Sequence, residues 1–236
     1  MLRLLIPFLI PMLTPMLLPL AGCVHASAAP PAPDSSPWTA RRAGPIVVAA
    51  DDPVTGSANA RMTVLVWSDF ECPWCSRANT ALVSYVLAHP DTRLVAKHYP
   101  LSSECNPNVG TPMHPAACGA ARASICAAEQ GRFEVASAYL FAQGDQPLDP
   151  ADFTAKVALD AQQWGTCFSA PTTTAKLERD IAQGRKAGVR GTPSIYLYGP
   201  WGEQWVQISG GPPEVEAAFD AARRGETLPP ALSPER

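Results

Sequence analysis

The residues best suited to chemistry in this sequence are two cysteines spaced as Cys72-Pro73-Trp74-Cys75. Two intervening residues on a helical turn bring both sulfurs within bonding range, so the pair can cycle between dithiol and disulfide. In disulfide exchange a thiolate attacks a disulfide sulfur and forms a mixed disulfide. A second sulfur close by then attacks that intermediate and releases the partner. The same spacing also serves as half of a zinc site or as a plain structural disulfide. The sequence has no second Cys-x-x-Cys, and His25, His89, His98 and His114 stand at no ligand spacing from the pair. Neither a metal nor a cofactor is expected.

A strand running into a helix must hold the pair. Residues 62–67 are apolar on both alternating faces, which suits a central strand covered on both sides. A helix is predicted over 73–88, with Ala78, Leu82, Tyr85 and Val86 on one stripe, and Pro90-Asp91 stops it. Cys72 then falls at the N-cap, Pro73 at the first helical position where its missing N–H costs nothing, and Cys75 inside the first turn. Unpaired N–H groups and the helix dipole favour a thiolate at such a start. Farther along, Gly191-Thr192-Pro193 enters a predicted strand. A cis proline there would present the Thr192 backbone to an extended chain approaching the cysteines. An ordinary trans proline at a strand start is the plainer alternative.

The remaining pattern supplies the frame. Short strands are predicted over 46–49 and 93–99, with a turn-rich stretch over 51–57 between the first of them and the central strand. Helices follow over 115–129, 133–141, 150–161 and 171–186. Strands return over 194–198 and 204–208 around a turn that contains Trp201, and a last helix carries Val215, Ala218, Phe219 and Ala222. Strand-helix-strand followed by a hairpin and a helix is an α/β layer plan with one insertion.

Composition bounds the rest. A hydrophobic share of 47% against 17% charged residues fits a globular domain, and a net charge of -3 gives no electrostatic footing for nucleic acid. Residues 1–22 combine Arg3, an apolar run and a small-residue ending before Cys23, a pattern that resembles a bacterial lipoprotein signal. That resemblance implies lipidation of Cys23, a membrane anchor, and a location in the cell envelope facing the periplasm or extracytoplasmic space. A plain secretory signal or an uncleaved anchor are the alternatives. Residues 23–44, rich in Ala, Pro and Ser, are expected to form a disordered tether, with the folded domain over 45–225 and a tail over 226–236. Export also permits disulfides among the other six of the seven cysteines.

Four segments together resemble the DsbA-like thioredoxin-fold oxidoreductases. They are Ser68-Asp69-Phe70-Glu71-Cys72-Pro73-Trp74-Cys75, His98-Tyr99-Pro100-Leu101, Ala127-Ala128-Glu129-Gln130-Gly131 and Gly188-Val189-Arg190-Gly191-Thr192-Pro193. The resemblance runs in order from about residue 45 to 225. It implies a thioredoxin fold with an inserted α-helical domain over about 105–187, and disulfide exchange on cysteine-containing exported proteins. It also implies Cys72 as nucleophile, Cys75 as resolving cysteine, Pro193 as a cis proline after Thr192, and a redox partner that recharges the pair. The sequence departs from the family at one place. Many relatives carry an acidic residue six positions before the first cysteine, where this chain has Val66; Asp69 and Glu71 are the candidate substitutes.

Cys105, Cys118, Cys126 and Cys167 allow three pairings, of which Cys105–Cys118 and Cys126–Cys167 are expected as structural disulfides, with buried free thiols as the alternative. Trp74 is either a substrate-contacting aromatic or an exposed ring that tunes the loop. The leading expectation is an oxidase, because a stabilised thiolate favours the reduced form of the pair. Isomerase and reductase directions remain open. Rivals from other classes are a lipoprotein that handles Cu(I) through Cys72 and Cys75, and a binding module with inert cysteines.

Overall fold

The computed structural model describes residues 39–199 and 202–226. The apolar run before Cys23, Cys23 itself, most of the expected tether, Trp201 and residues 227–236 lie outside the described residues. The elements in chain order are β1 (Thr39–Arg42), β2 (Val54–Gly56), β3 (Met62–Ser68), α1 (Pro73–Ala88), β4 (Thr92–His98), α2 (Ala117–Glu129), α3 (Phe133–Gln143), α4 (Pro150–Val157), α5 (Ala161–Ser169), α6 (Pro171–Ala187), β5 (Ser194–Gly199), β6 (Gly202–Ser209) and α7 (Pro212–Arg223). Six strands form one sheet in the order β1-β6-β5-β3-β4-β2, with β3 and β4 parallel and every other neighbouring pair antiparallel.

Strand β3 sits inside the sheet because both of its faces are greasy. Val64 and Val66 point with Leu82, Tyr85 and Phe219 into the layer formed with α1 and α7. Leu65 and Trp67 point the other way, against Val95, Leu177, Ile181 and Tyr196. Burial of such side chains contributes roughly 1.5–3 kcal/mol each, so a one-residue slip of β3 would be strongly opposed. Helix α6 comes close at Gly184, where a Cβ would fall 2.9 Å from both the Trp67 indole nitrogen and the Tyr99 ring. The Trp67 indole N–H then donates to Asp180 O at 2.9 Å.

Helices α2–α6 lie between β4 and β5; α2–α5 share a third core around Phe70, Ala123, Ala136, Phe153, Val157 and Trp164, whereas α6 packs with Leu177 and Ile181 on the Leu65 and Trp67 side of the sheet. Small residues along α2 let its neighbours approach, and large aromatics from the other helices fill the space. A disulfide joins Cys126 to Cys167 and so ties α2 to α5; another joins Cys105, in the segment after β4, to Cys118 in α2.

Four expectations need correction. The tether is not irregular up to residue 44: residues 39–42 form an edge strand paired with β6, with Thr39 opposite Ser209. Backbone pairing needs no large side chain, so an Ala- and Arg-rich segment can still add to an open sheet edge. The expected strand over 46–49 does not form. Ile46 and Val48 do pack on the core while Val47 stays exposed, but no strand edge is paired with them. Instead β2 forms inside the turn-rich stretch, antiparallel to β4. The helix expected over 150–161 ends earlier. Ala158 takes a left-handed conformation as C-cap, Asp160 then caps α5 by accepting the Gln163 N–H at 2.8 Å, and a separate helix follows.

The two disulfides close chain segments of 13 and 41 residues. Loop-closure entropy predicts that the Cys126→Ala/Cys167→Ala variant loses about 4 kcal/mol and the Cys105→Ala/Cys118→Ala variant about 3 kcal/mol. Urea midpoints of the two variants check this; no loss in either, or the reverse order, contradicts it.

Candidate active site

The junction of β3 with α1 builds the site. After Ser68 the chain turns at Asp69, whose carbonyl accepts the Cys72 N–H at 3.2 Å and whose Oδ1 accepts the Glu71 N–H at 2.8 Å. Asp69 is buried, and its Oδ2 accepts the Leu101 N–H at 2.7 Å and lies 2.8 Å from His114 Nδ1. One carboxylate thus pins the turn before the cysteines to the segment after β4. Cys72 is the N-cap in extended backbone and Pro73 opens α1. The Cys75 and Ser76 N–H groups donate back to Cys72 O at 3.0 and 3.2 Å.

Cys72 and Cys75 are the free cysteines among the described residues. Cys72 keeps 5% of its surface and Cys75 only 1%, so the first sulfur is the one a partner can reach. The Cys72 thiol is pulled down to about 5. A hydrogen bond from the Cys75 thiol is the largest cause; the Cys75 and Trp74 N–H groups and a Thr192 bond add to it and together outweigh burial. Burial pushes the Cys75 thiol strongly upward, and the bond to Cys72 raises it further. Two sulfurs one turn apart are therefore held in opposite protonation states. That is the condition for one to attack and the other to wait.

Thr192 and Pro193 come to the same place from the far side of the chain. The Thr192–Pro193 peptide is cis, and Thr192 O lies 3.4 Å from Cys72 Sγ. Trp74 is 62% exposed, with the Arg77 guanidinium 4.7 Å from its ring centre. Beside it opens a largely apolar groove of about 230 Å³, lined in part by Trp74, Leu82, Thr192, Pro193, Ile195 and Val215.

The two carboxylates expected to stand in for the acid missing at Val66 are engaged elsewhere. Asp69 is occupied as described, and what it offers Cys75 is its backbone N–H. Glu71 lies toward the start of α2, where burial raises its carboxyl against the pull of the Ala116 and Ala117 N–H groups, and its buried Oε1 has no hydrogen-bond partner among the described residues. Sequence reasoning also missed His114, and a buried charge network behind the site. In that network Lys97 Nζ lies 2.7 Å from Asp52 and 3.3 Å from Asp180, and the other Asp180 oxygen lies 2.9 Å from His98 Nδ1. These partners are far apart in the chain, and no local spacing announces them.

The profile of the thioredoxin family, described as Thioredoxin, matches residues 49–203. Among solved structures, a thioredoxin-like oxidoreductase from Silicibacter pomeroyi DSS-3 is 25% identical with a TM-score of 0.57, covering 75% of this chain and 94% of that one. Pseudomonas aeruginosa DsbA2 is 27% identical with a TM-score of 0.59, covering 72% and 92%. BdbD from Bacillus subtilis, at 16% identity and a TM-score of 0.59 over 79% and 98%, shares the fold. The fold and the paired cysteines define the class of thioredoxin-fold proteins. The chain belongs to the thioredoxin family and, within it, is a DsbA-like thiol–disulfide oxidoreductase. Curated relatives named Na(+)/H(+) antiporter include NhaA 3 of Salinispora tropica, 30% identical over 73% of this chain. NhaA of Herminiimonas arsenicoxydans is 28% identical over 74%. The chain spans about a quarter of the length of these relatives, 25% and 26%.

Asp69→Asn is expected to lower stability by about 2–3 kcal/mol, because the amide loses the charge that three donors share and cannot accept from all of them. Denaturant midpoints measure this. An unchanged midpoint would remove Asp69 as the pin of the turn.

Proposed function

We propose that the chain oxidises cysteine pairs of exported proteins through the Cys72-Pro73-Trp74-Cys75 pair. Cys72 is the attacking and attacked sulfur, and Cys75 the sulfur that closes or leaves. The observation that carries this reading is the geometry at the start of α1, with Cys72 at the N-cap, Thr192 O 3.4 Å from its sulfur and Cys75 buried one turn on, an arrangement that lowers the first thiol and raises the second. In the oxidised enzyme a substrate thiolate attacks Cys72 Sγ, the Cys72–Cys75 bond breaks, and Cys75 leaves. The second substrate thiol then attacks the substrate sulfur of the mixed disulfide. Cys72 departs as a thiolate that needs no proton at neutral pH, which drives the electrons toward the enzyme. An extended substrate lies along Thr192 and against Trp74, with apolar side chains in the groove beside them. A redox partner reverses the exchange and restores the Cys72–Cys75 bond.

The setting follows from the same chemistry. Two further disulfides suit an oxidising compartment. The lipoprotein-like pattern that ends at Cys23 supports a lipid anchor, with residues 24–38 as the remaining tether before β1. The domain is then held in the cell envelope on the extracytoplasmic side, where its substrates emerge.

Two outcomes test the proposal. Cys75→Ser expressed in its own envelope should accumulate mixed disulfides through Cys72 that dissolve on reduction; a reactive Cys72 that traps nothing contradicts the enzyme reading. The second concerns direction. The folded Cys72 thiol lies near 5 while an unfolded cysteine titrates near 8.5. Its ionisation therefore stabilises the reduced fold fully above the unfolded value, and this gain is lost as pH falls through about 5. At neutral pH the reduced protein should unfold at higher urea than the form with the Cys72–Cys75 bond, and the gap should narrow toward acid. A more stable oxidised form would assign the opposite direction, a reductase.

A further inference from the structure

The buried thiol poses a question that the pair alone does not answer. When Cys75 attacks it must lose a proton, and when it leaves it must regain one, yet it keeps only 1% of its surface. Directly against it lies a cavity of about 20 Å³, bordered by Val66, Ser68, Cys75, Asn79 and Ser137. That volume holds one water, and a water there needs two to four polar partners.

The titratable groups bordering the cavity besides Cys75 are Lys97 and His98 of β4, and both are committed away from it. The Lys97 ammonium is paired with Asp52 and Asp180. The His98 ring nitrogens lie 2.9 Å from Asp180 Oδ2 and 2.9 Å from Ser124 Oγ. Arg179 of α6 adds its charge to the far side of the same network, on Asp52 and Asp180. Asp69, on the turn, faces His114. Val66 brings an apolar side chain to the wall. The neutral side chains with hydrogen-bonding capacity that border the cavity are Ser68 at the end of β3, Asn79 from α1 and Ser137 from α3. Ser137 is buried, whereas Asn79 is half-buried and sits toward solvent.

We propose that Ser68, Asn79 and Ser137 are positioning residues that hold a water against Cys75, and that this water carries the Cys75 proton between the thiol and solvent. The inference rests on the exchange reading above and deepens it. In recharging, Cys72 is joined to the partner by a disulfide. Cys75–SH gives its proton to the water, its sulfur bonds to Cys72 Sγ, the Cys72–partner bond breaks, and the partner leaves as a thiolate. Two electrons stay with the departing partner, and the proton leaves past Asn79. Oxidation of a substrate runs the same path backward: Cys75 departs from Cys72 as a thiolate and takes a proton from the water. Three neutral groups and a water thus occupy the place where a carboxylate at position 66 would act as base.

The test separates the two steps in the full chain. Reduced protein is mixed with glutathione disulfide, quenched in acid at intervals, and the glutathione adduct on Cys72 is followed by mass in H2O and D2O. Adduct formation should be the same for wild type, Ser137→Ala and Asn79→Leu. Resolution of the adduct should slow about tenfold or more in both variants. Wild-type resolution should slow about twofold in D2O, as a rate-limiting proton transfer requires. Val66→Glu, which places a carboxyl base in the same cavity, should resolve at least as fast as wild type and gain a new acidic limb in its pH profile. Unchanged resolution in both polar variants, or no D2O effect in wild type, overturns the proton route. If a variant fails to fold, the wild-type isotope effect and Val66→Glu still decide. Wild type that forms no adduct on Cys72 overturns the exchange reading itself, an outcome distinct from adduct that forms and resolves at an unchanged rate.

Discussion

The structure turns on how one helix begins. Cys72 is the N-cap of α1, and the Trp74 and Cys75 N–H groups of the first turn help to draw its thiol down. Everything near the site keeps that geometry fixed. Strand β3 is buried on both faces and cannot slip, Asp69 ties the turn to the segment after β4, and Pro73 sets the first helical residue without needing a donor. The cis Thr192–Pro193 segment closes the remaining side. A sulfur held in this way is stabilised as an anion, and its mate one turn on is left protonated by burial.

The helical block and the charge network serve the same end from behind. Cys126–Cys167 fastens α2 to α5, and Cys105–Cys118 fastens the segment after β4 to the same α2. Glu71, next to Cys72, is half-buried toward the start of that helix, whose N–H groups only partly offset the rise that burial gives its carboxyl. Lys97 lies fully buried between two carboxylates at the base of β4, where removal of any one member would leave an uncompensated charge. Burial works to raise Asp180, and the pull of His98, Lys97 and Arg179 outweighs it. Such a network fixes β4 and α6 in one arrangement beside the cysteines.

Much of this was legible in the residues. The strand, the helix and the cysteines between them follow from local rules: apolar alternation over β3, a proline at the first helical position and a stripe at 3.6-residue spacing. What escaped was long-range or carried by backbone alone. Strand β1 adds to β6 through main-chain bonds that Ala40 and its arginine neighbours do not advertise. The break between α4 and α5 depends on Ala158 in a left-handed conformation that its residue type does not favour. The pairing of Asp69 with His114, and of Lys97 with Asp52 and Asp180, joins residues that only the fold brings together. Val66 was visible as a departure from the family pattern, but the polar cavity beside it was not.

The central claim is electrostatic, and titration of one thiol tests it most directly. The alkylation rate of Cys72 in the reduced full chain, followed against pH with the Cys75→Ala variant beside it, should rise to half its plateau in the acid range, near 5, for the wild type. Alanine has no donor to offer the Cys72 sulfur, so this variant loses the largest stabilising bond and its midpoint should move toward neutral. A wild-type midpoint near 8.5, where an ordinary cysteine titrates, would mean that the helix start does not hold a thiolate, and the proposed chemistry would have no driving force.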